Sequence, residues 1–157
     1  MTVVLHNIRS VYNVGSIFRT ADAAGIEKIY LCGITPAPVD RYGCLRQDFI
    51  KVSLGAEKSV EWEKFYSTSK LLGKLKKERY KILAVEQNKK SIPYYKLSKS
   101  YVSNRKSCLV FGNEVNGLSP SVLKKADKIL EIPMMGKKES LNVSVAFGII
   151  AFHIANA

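Results

Sequence analysis

Residues 132–154, with the sequence IPMMGKKESLNVSVAFGIIAFHI, restrict the possible folds more than any other part of the chain. A polar segment around Gly136 precedes a helix candidate that starts near Val143, and either Asn142 or Ser144 is suited to cap it. From Val143 onward the helix is apolar on nearly all of its sides. A helix of this kind is buried in a protein core, in an interface, or in both.

The length and charge of the chain limit its organisation and its partners. With 157 residues, the chain suits one domain with a substantial core and is short for two, so we expect residues 1–157 to form a single domain. The net charge of +12 indicates a polyanionic partner. Nucleic acid and a membrane surface both fit that charge.

The composition gives no sign of a membrane span, a secretion signal or a metal site. No apolar run approaches the roughly 20 residues that a membrane-spanning helix needs. The N-terminus reaches Asn7 and Arg9 too early for a signal peptide. The three cysteines are widely spaced and include no CxxC pair. We therefore expect a cytoplasmic protein with reduced thiols, no membrane partner and no metal.

Short apolar segments alternate with helical patterns along the chain. The predicted strands are residues 3–5, Lys28–Cys32, Lys81–Val85, Ser107–Phe111 and residues 128–132, and the predicted helices are residues 16–24, 67–80, 119–126 and 143–154. Because each strand is almost entirely apolar, we expect an α/β fold with a mainly parallel sheet and helices on both faces.

The loops that follow residues 5, 85, 111 and 132 are the richest in Asn, Gly, Glu and Ser. Ligands of parallel sheets bind beyond the carboxyl ends of the strands, so we expect these loops to form the ligand site. None contains a GxGxxG or a Walker motif, which makes an ordinary dinucleotide-binding fold less suitable. The two histidines do not form a Ser-His-Asp arrangement.

Three segments together resemble the SpoU (TrmH) family of the SPOUT methyltransferases. NVGSIFR at residues 13–19 resembles the first family motif, and FGNEVNGL at residues 111–118 resembles the second. The third corresponds to IPM at residues 132–134 followed by SLNVSVA at residues 140–146. LGAE at residues 54–57 is also typical of the family. The motifs occur in the family's order and span almost the whole chain.

The resemblance implies a fold, a reaction and an assembly. It implies S-adenosyl-L-methionine as methyl donor and the 2′-hydroxyl of an RNA ribose as acceptor. It also implies a C-terminal trefoil knot and a homodimer, in which the terminal helix packs and each active site uses residues of both subunits. A dimer interface accounts for a helix that is apolar on all sides.

The resemblance also assigns roles to individual residues by their position in the motifs. Those implied to contact the cofactor are Val85, Gly112, Ile132, Met134, Ser140 and Leu141. Those implied to form the reaction centre are Asn13, Arg19, Glu114, Ser140 and Asn142. In each case the alternative is a purely architectural role in a loop or a helix cap.

Arg19 has two possible roles in such a site. The family commonly assigns the equivalent arginine as the base, but a guanidinium is effectively never deprotonated in proteins. We therefore favour Arg19 as a group that binds the ribose and the adjacent phosphate and stabilises developing negative charge on oxygen. Glu114 is then expected to orient either Arg19 or Asn13. A solvated helix charge is the alternative for Arg19.

The resemblance leaves the RNA open. The chain begins at its first strand, without the N-terminal RNA-binding extension of many relatives, so we expect its own basic faces or a partner to select the substrate. This compact form resembles the short tRNA-modifying members, and ribosomal RNA is the alternative. A catalytically silent, knotted RNA-binding dimer is another. A nucleotide-binding domain unrelated to RNA does not account for the charge.

Overall fold

The computed structural model describes residues 1–102 and 106–156, which form a seven-stranded sheet in which all neighbouring strands are parallel. The strands are β1 (Thr2–His6), β2 (Lys28–Cys32), β3 (Glu61–Phe65), β4 (Lys81–Val85), β5 (Ile92–Pro93), β6 (Ser107–Phe111) and β7 (Lys128–Glu131). Their order across the sheet is β3-β2-β1-β6-β4-β7-β5. The carboxyl ends of β1, β6, β4 and β7 are therefore neighbours at one edge.

Helices connect the strands and cover the sheet. They are α1 (Val11–Ala23), α2 (Gln47–Ser53), α3 (Ala56–Ser59), α4 (Thr68–Lys77), α5 (Lys99–Val102), α6 (Pro120–Leu123) and α7 (Val143–Ala155), together with a 3-10 turn at Tyr94–Lys96. Ser10, Ser67 and Asn142 each accept a backbone N–H at a helix start. These capping contacts satisfy N–H groups that have no partner within the helix.

The core lies in two layers, one on each face of the sheet. Successive residues of β1 show the division, because Val3 and Leu5 belong to one cluster and Val4 to the other. The first cluster includes residues of α1, α2 and α7, and the second includes residues of α4 and α6. The prediction of an α/β fold with a parallel sheet and helices on both faces is confirmed.

The start of α1 differs from the sequence prediction. The helix begins at Val11 rather than near Ser16, because the side chain of Ser10 accepts the backbone N–H of Asn13 at 3.2 Å. Asn13 and Gly15 therefore lie inside the helix, not in the turn before it. Because Gly15 has no side chain, α2 can pack closely against α1 at this position. A Cβ on Gly15 would lie 3.1 Å from Val52 Cβ.

Two strands were not predicted. β3 lies at one edge of the sheet and contains three exposed or half-buried charged residues and two aromatic ones, so it lacks the continuous apolar run of a buried strand. Lys28 of β2 forms ion pairs with Glu61 and Glu63 across this edge, at 2.6 and 3.0 Å. β5 is two residues long, too short to give a pattern. The helix predicted to run to Ala126 ends at Leu123.

Helix α7 agrees with its prediction and packs against α1 and β6. Asn142 is its N-cap, with its side-chain oxygen accepting the backbone N–H of Ser144 at 2.9 Å. Phe147, Ile150 and Ala151 are buried, whereas Val145 and Phe152 are 50% and 42% exposed. One apolar face of α7 is thus partly exposed. The trefoil knot stays a prediction.

No helix within residues 1–102 and 106–156 is both long enough and apolar enough to span a membrane.

Candidate active site

A cleft of about 480 Å³ lies at the carboxyl edge of the sheet. It is formed by the loops that follow β4, β6 and β7 and by the first turn of α7. All the residues that the sequence associated with the cofactor line it: Val85, Gly112, Ile132, Met134, Ser140 and Leu141. Because the order of the strands brings these loops together, segments distant in sequence form one cavity. The role of each residue in binding stays a prediction.

The loop after β6 is packed tightly against itself beside the cleft. A Cβ on Gly112 would lie 2.5 Å from the carbonyl carbon of Gly117 and 2.7 Å from the nitrogen of Leu118. Both contacts involve backbone, which a side-chain rotation cannot relieve. Gly117 has a φ of +63°, in the left-handed region that favours glycine. The cleft therefore depends on a backbone approach that other residues at position 112 do not permit.

Glu86 and Gln87 also line the cleft, although no sequence motif singled them out. Glu86 accepts the backbone N–H of Leu118 at 2.8 Å and so ties the loop after β4 to the loop after β6. Gln87 donates its side-chain amide to the carbonyl oxygen of Glu139 at 2.6 Å. Their position directly after a predicted strand was the signal that could have identified them.

A chain of hydrogen bonds joins three of the residues predicted for the reaction centre. The side-chain amide of Asn142 donates to the side-chain oxygen of Asn13 at 3.1 Å. The side-chain amide of Asn13 in turn donates to Glu114 Oε1 at 3.1 Å. Asn142 and Glu114 line the cleft, and Asn13 is 7% exposed in α1 beneath them. These contacts fix the orientation of the Asn13 amide.

Glu114 connects the loop after β6 to the loop after β1. Its two carboxylate oxygens accept the backbone N–H groups of Arg9 and Ser10 at 3.1 and 3.2 Å, in addition to Asn13. Partial burial opposes ionisation of this carboxyl group, but the hydrogen bonds from Arg9, Asn13 and Ser10 outweigh it and lower its pKa. Glu114 is therefore ionised at neutral pH and is a weaker base than an ordinary glutamate.

Arg19 lies apart from this chain of contacts. It is exposed on α1 and does not line the cleft. The sequence left open whether Glu114 orients Arg19 or Asn13, and the contacts of Glu114 are made with Asn13. The next residue along α1, Thr20, faces α7, since a Cβ on Gly148 would lie 3.6 Å from the Thr20 methyl group. Arg19 is thus an exposed residue that directly precedes, along α1, a side chain that packs on α7.

The cleft suits a nucleoside-type cofactor. Its volume falls in the range of small-molecule sites, and it combines apolar side chains with polar groups. Ile132, Leu141 and Ala146 offer an apolar surface for a planar base, and Glu86 and Glu131 add acidic groups to the lining. Acidic groups favour a cationic ligand, so the residues present fit a sulfonium compound.

Comparison with known proteins gives a consistent family. Residues 1–152 match the family model described as the SpoU rRNA Methylase family. The chain is 31% identical over 152 residues to a tRNA (guanosine(18)-2′-O)-methyltransferase of Aquifex aeolicus, covering 97% of this chain and 67% of that protein. It is 30% identical to a putative TrmH family tRNA/rRNA methyltransferase of Staphylococcus haemolyticus, covering 97% of this chain and 57% of that protein.

A solved structure has the same fold. The crystal structure of an AdoMet-bound rRNA methyltransferase from Sinorhizobium meliloti aligns with 99% of this chain and 55% of its own, with a TM-score of 0.87 and 26% identity. The chain thus spans between about half and two thirds of the length of these relatives.

Proposed function

The chain belongs to the SpoU methylase family, and we propose that it transfers a methyl group from S-adenosyl-L-methionine to the 2′-hydroxyl of a ribose in RNA. The 2′-O position is supported by the activity for which the Aquifex relative is named, and the methyl donor by the AdoMet-bound Sinorhizobium structure. We favour tRNA as the substrate. The staphylococcal relative is named for both tRNA and rRNA, so rRNA is the alternative.

We propose that the cleft holds the methyl donor. The bound cofactor supplies an electrophilic methyl group attached to a positively charged sulfur. Val85, Gly112, Ile132, Met134, Ser140 and Leu141 hold it within this proposal. The close backbone approach at Gly112 presents main-chain donors and acceptors to an adenosine, while Ile132 and Leu141 exclude water from its base.

The reaction centre lies, in this proposal, where Asn13, Glu114 and Asn142 meet beside the cleft. Methyl transfer from a cation to an oxygen neutralises charge, so correct positioning of the ribose supplies most of the rate. Asn13 is fixed on both sides, by Asn142 and by Glu114, and its amide is thus preorganised to contact the ribose. Glu114 orients Asn13 rather than removing the proton, because its lowered pKa makes it a weak base.

Arg19 is proposed to bind the ribose and its adjacent phosphate and to stabilise the negative charge on the 2′-oxygen as its proton passes to solvent water. Its place on α1, beside the packing contact with α7, suits a site completed across a homodimer interface. In that assembly, the partly exposed apolar face of α7 packs against the partner subunit. The net charge of +12 supplies the attraction for the RNA backbone.

The observation that supports this proposal best is the Asn142–Asn13–Glu114 chain at the edge of a nucleoside-sized cleft. A catalytically silent RNA-binding module does not need a buried asparagine that is oriented by two partners. We regard such a module as the alternative function. It predicts RNA binding without methyl transfer.

The test is transfer of labelled methyl groups from S-adenosyl-L-methionine to unmodified tRNA transcripts and, separately, to unmodified rRNA. Nuclease digestion of the labelled RNA then identifies the modified nucleoside. We expect label on a ribose 2′-oxygen of a single tRNA position. Label on a base contradicts the 2′-O assignment, and label confined to rRNA contradicts the preference for tRNA. Cofactor and RNA binding without any transfer supports the silent module.

A further inference from the structure

A second groove, separate from the cofactor cleft, lies on the other side of the loop after β6. It has a volume of about 470 Å³ and is lined mainly by polar residues from the loops after β1 and β6. Asn113 and Gly117 line both cavities, so one short loop separates them. We call this cavity the second groove, and its lining includes His6, Arg9, Asn116 and Ser119. The cofactor proposal leaves it unused.

The backbone around the second groove is held in place by hydrogen bonds between its two loops. Asn113 donates its side-chain amide to the carbonyl oxygen of Asn7 at 2.8 Å, and its side-chain oxygen accepts the N–H of Asn116 at 2.9 Å. Glu114 accepts the backbone N–H of Arg9 at 3.1 Å. These contacts use the backbone of Arg9 and Asn116 and leave the side chains of both residues to line the groove.

The charges of the second groove suit one phosphate. Burial lowers the pKa of His6, whose ring contacts the Thr68 hydroxyl at 2.7 Å, so this histidine is neutral at pH 7. Arg9 is exposed and supplies a full positive charge. Within the described residues that line the groove, no side chain is acidic. Glu114 lines the other cavity, and its carboxylate is occupied by the backbone N–H groups of Arg9 and Ser10 and by the Asn13 amide.

We propose that the second groove binds the RNA nucleotide next to the methylated ribose, with its phosphate against Arg9 and its sugar or base against Asn116 and Ser119. This inference rests on the proposed function, because it assumes an RNA strand at the Asn13–Glu114 contact. An RNA strand that places its ribose at the Asn13–Glu114 contact would continue past the loop after β6. Its neighbouring nucleotide would then lie in the second groove. Guanidinium groups bind phosphates, and amides and hydroxyls bind sugars and base edges. The volume also suits a single nucleotide.

The test compares Arg9→Ala with Arg79→Ala. Both arginines are exposed, but Arg79 follows α4 at the opposite, amino edge of the sheet. Neither substitution removes a backbone N–H. RNA affinity is measured without methyl donor over a range of salt concentrations. The probe is the RNA that accepts methyl label from the wild-type protein, or bulk tRNA if the wild-type protein transfers none. Calorimetry gives the affinity for S-adenosyl-L-methionine.

We expect Arg9→Ala to weaken RNA binding roughly three- to tenfold, and to lower the slope of log affinity against log salt by about one, because one phosphate contact is lost. Asn116→Ala should weaken binding without changing that slope, and Arg79→Ala should change neither quantity. Cofactor affinity should be unchanged in all three. The groove proposal is overturned if Arg9→Ala binds RNA like the wild type, if it matches Arg79→Ala, or if it loses cofactor affinity. Methyl transfer to RNA by the wild type tests the proposed function independently of each result.

Discussion

The side-chain amide of Asn142 donates a hydrogen bond to the side-chain oxygen of Asn13 over 3.1 Å. This contact joins the N-cap of α7 to the first turn of α1. Because Asn13 also donates to Glu114, the two helices and the loop after β6 are connected through one buried amide. A change at any of the three residues is therefore expected to affect the others.

Substitutions at Asn142 can separate its two functions. Asn142→Ala removes both the cap and the contact with Asn13, and we expect it to lower the free energy of unfolding by about 1 kcal/mol. Asn142→Asp keeps an acceptor for the Ser144 N–H but has no N–H to donate to Asn13. It should keep the stabilisation from the cap, although the buried Asn13 oxygen loses its donor, and it should lose methyl transfer on the order of 10²-fold through misplacement of Asn13. Denaturant unfolding and single-turnover transfer measure the two effects. If Asn142→Asp transferred methyl groups at the wild-type rate, the only role of Asn142 would be to cap α7.

Glu114→Gln should change the dependence of stability on pH. The pKa of Glu114 is lowered on folding from its ordinary value of 4.5, so the ionised form stabilises the folded state above that pH. This contribution is lost as the pH falls below about 4.5 and through the lowered value. The difference in unfolding free energy between wild type and Glu114→Gln should therefore be constant near pH 7 and shrink under acid conditions. A difference that grows as the pH falls would contradict the assignment.

Gly112→Ala should damage the cleft more than an equivalent change elsewhere. Its Cβ would lie within 2.8 Å of three backbone atoms of Gly117 and Leu118, so the loop must move. Gly136, in the loop before α7, provides the control, because a Cβ added there would have no atom within 4 Å. We expect Gly112→Ala to weaken calorimetric binding of S-adenosyl-L-methionine at least tenfold, and Gly136→Ala to change it little. If the two variants bound S-adenosyl-L-methionine with equal affinity, the cleft would not be the cofactor site.

Strands that are buried on both faces could be predicted from the sequence, whereas the exposed edge strand could not. β2, β4 and β6 have the bounds expected from their apolar runs, because strands covered on both faces exclude polar residues. The edge strand β3 escaped prediction because its charged residues interrupt the apolar pattern, with Glu61 and Glu63 paired to Lys28 and Lys64 donating to the carbonyl oxygen of Thr35. The early start of α1 was missed because Ser10 and Asn13 are residue types that are common in turns, and they suggested a loop. In the structure, Ser10 instead caps the helix.

The residues that line the cleft were predictable as a set, but their geometry was not. The carboxyl-end rule and the motifs identified the loops that line the cleft. The pairing of Asn13 with Glu114 requires β1 and β6 to be neighbours, and periodicity does not determine the order of strands. Glu86 was missed because its contact, the backbone N–H of Leu118, depends on a loop conformation set by Gly117.

The proposed homodimer predicts that the exposed face of α7 holds two subunits together. Phe152 and Val145 are 42% and 50% exposed there, and a dimer would cover them. We expect the wild type to be dimeric in light scattering at micromolar concentration, and Phe152→Lys to shift it toward monomer. Tyr66→Lys is the control, since Tyr66 is 91% exposed and lies outside α7. A stable wild-type monomer would contradict the proposal and require another role for this face.

Arg19 provides the sharpest test of the reaction centre, because it lies outside the cleft that is proposed to bind the cofactor. Arg19→Ala should leave the affinity for S-adenosyl-L-methionine nearly unchanged. It should reduce methyl transfer on the order of 10²–10³-fold, the typical effect of removing one electrostatic contact to a transition state. Arg19→Lys should restore little activity, because an ammonium group cannot reproduce the planar, two-pronged contact of a guanidinium.

The measurements are calorimetric cofactor binding and single-turnover transfer for both variants. Loss of cofactor affinity together with activity would assign Arg19 to the cofactor site or to the fold. Full activity in Arg19→Ala would leave it as a solvated charge on α1.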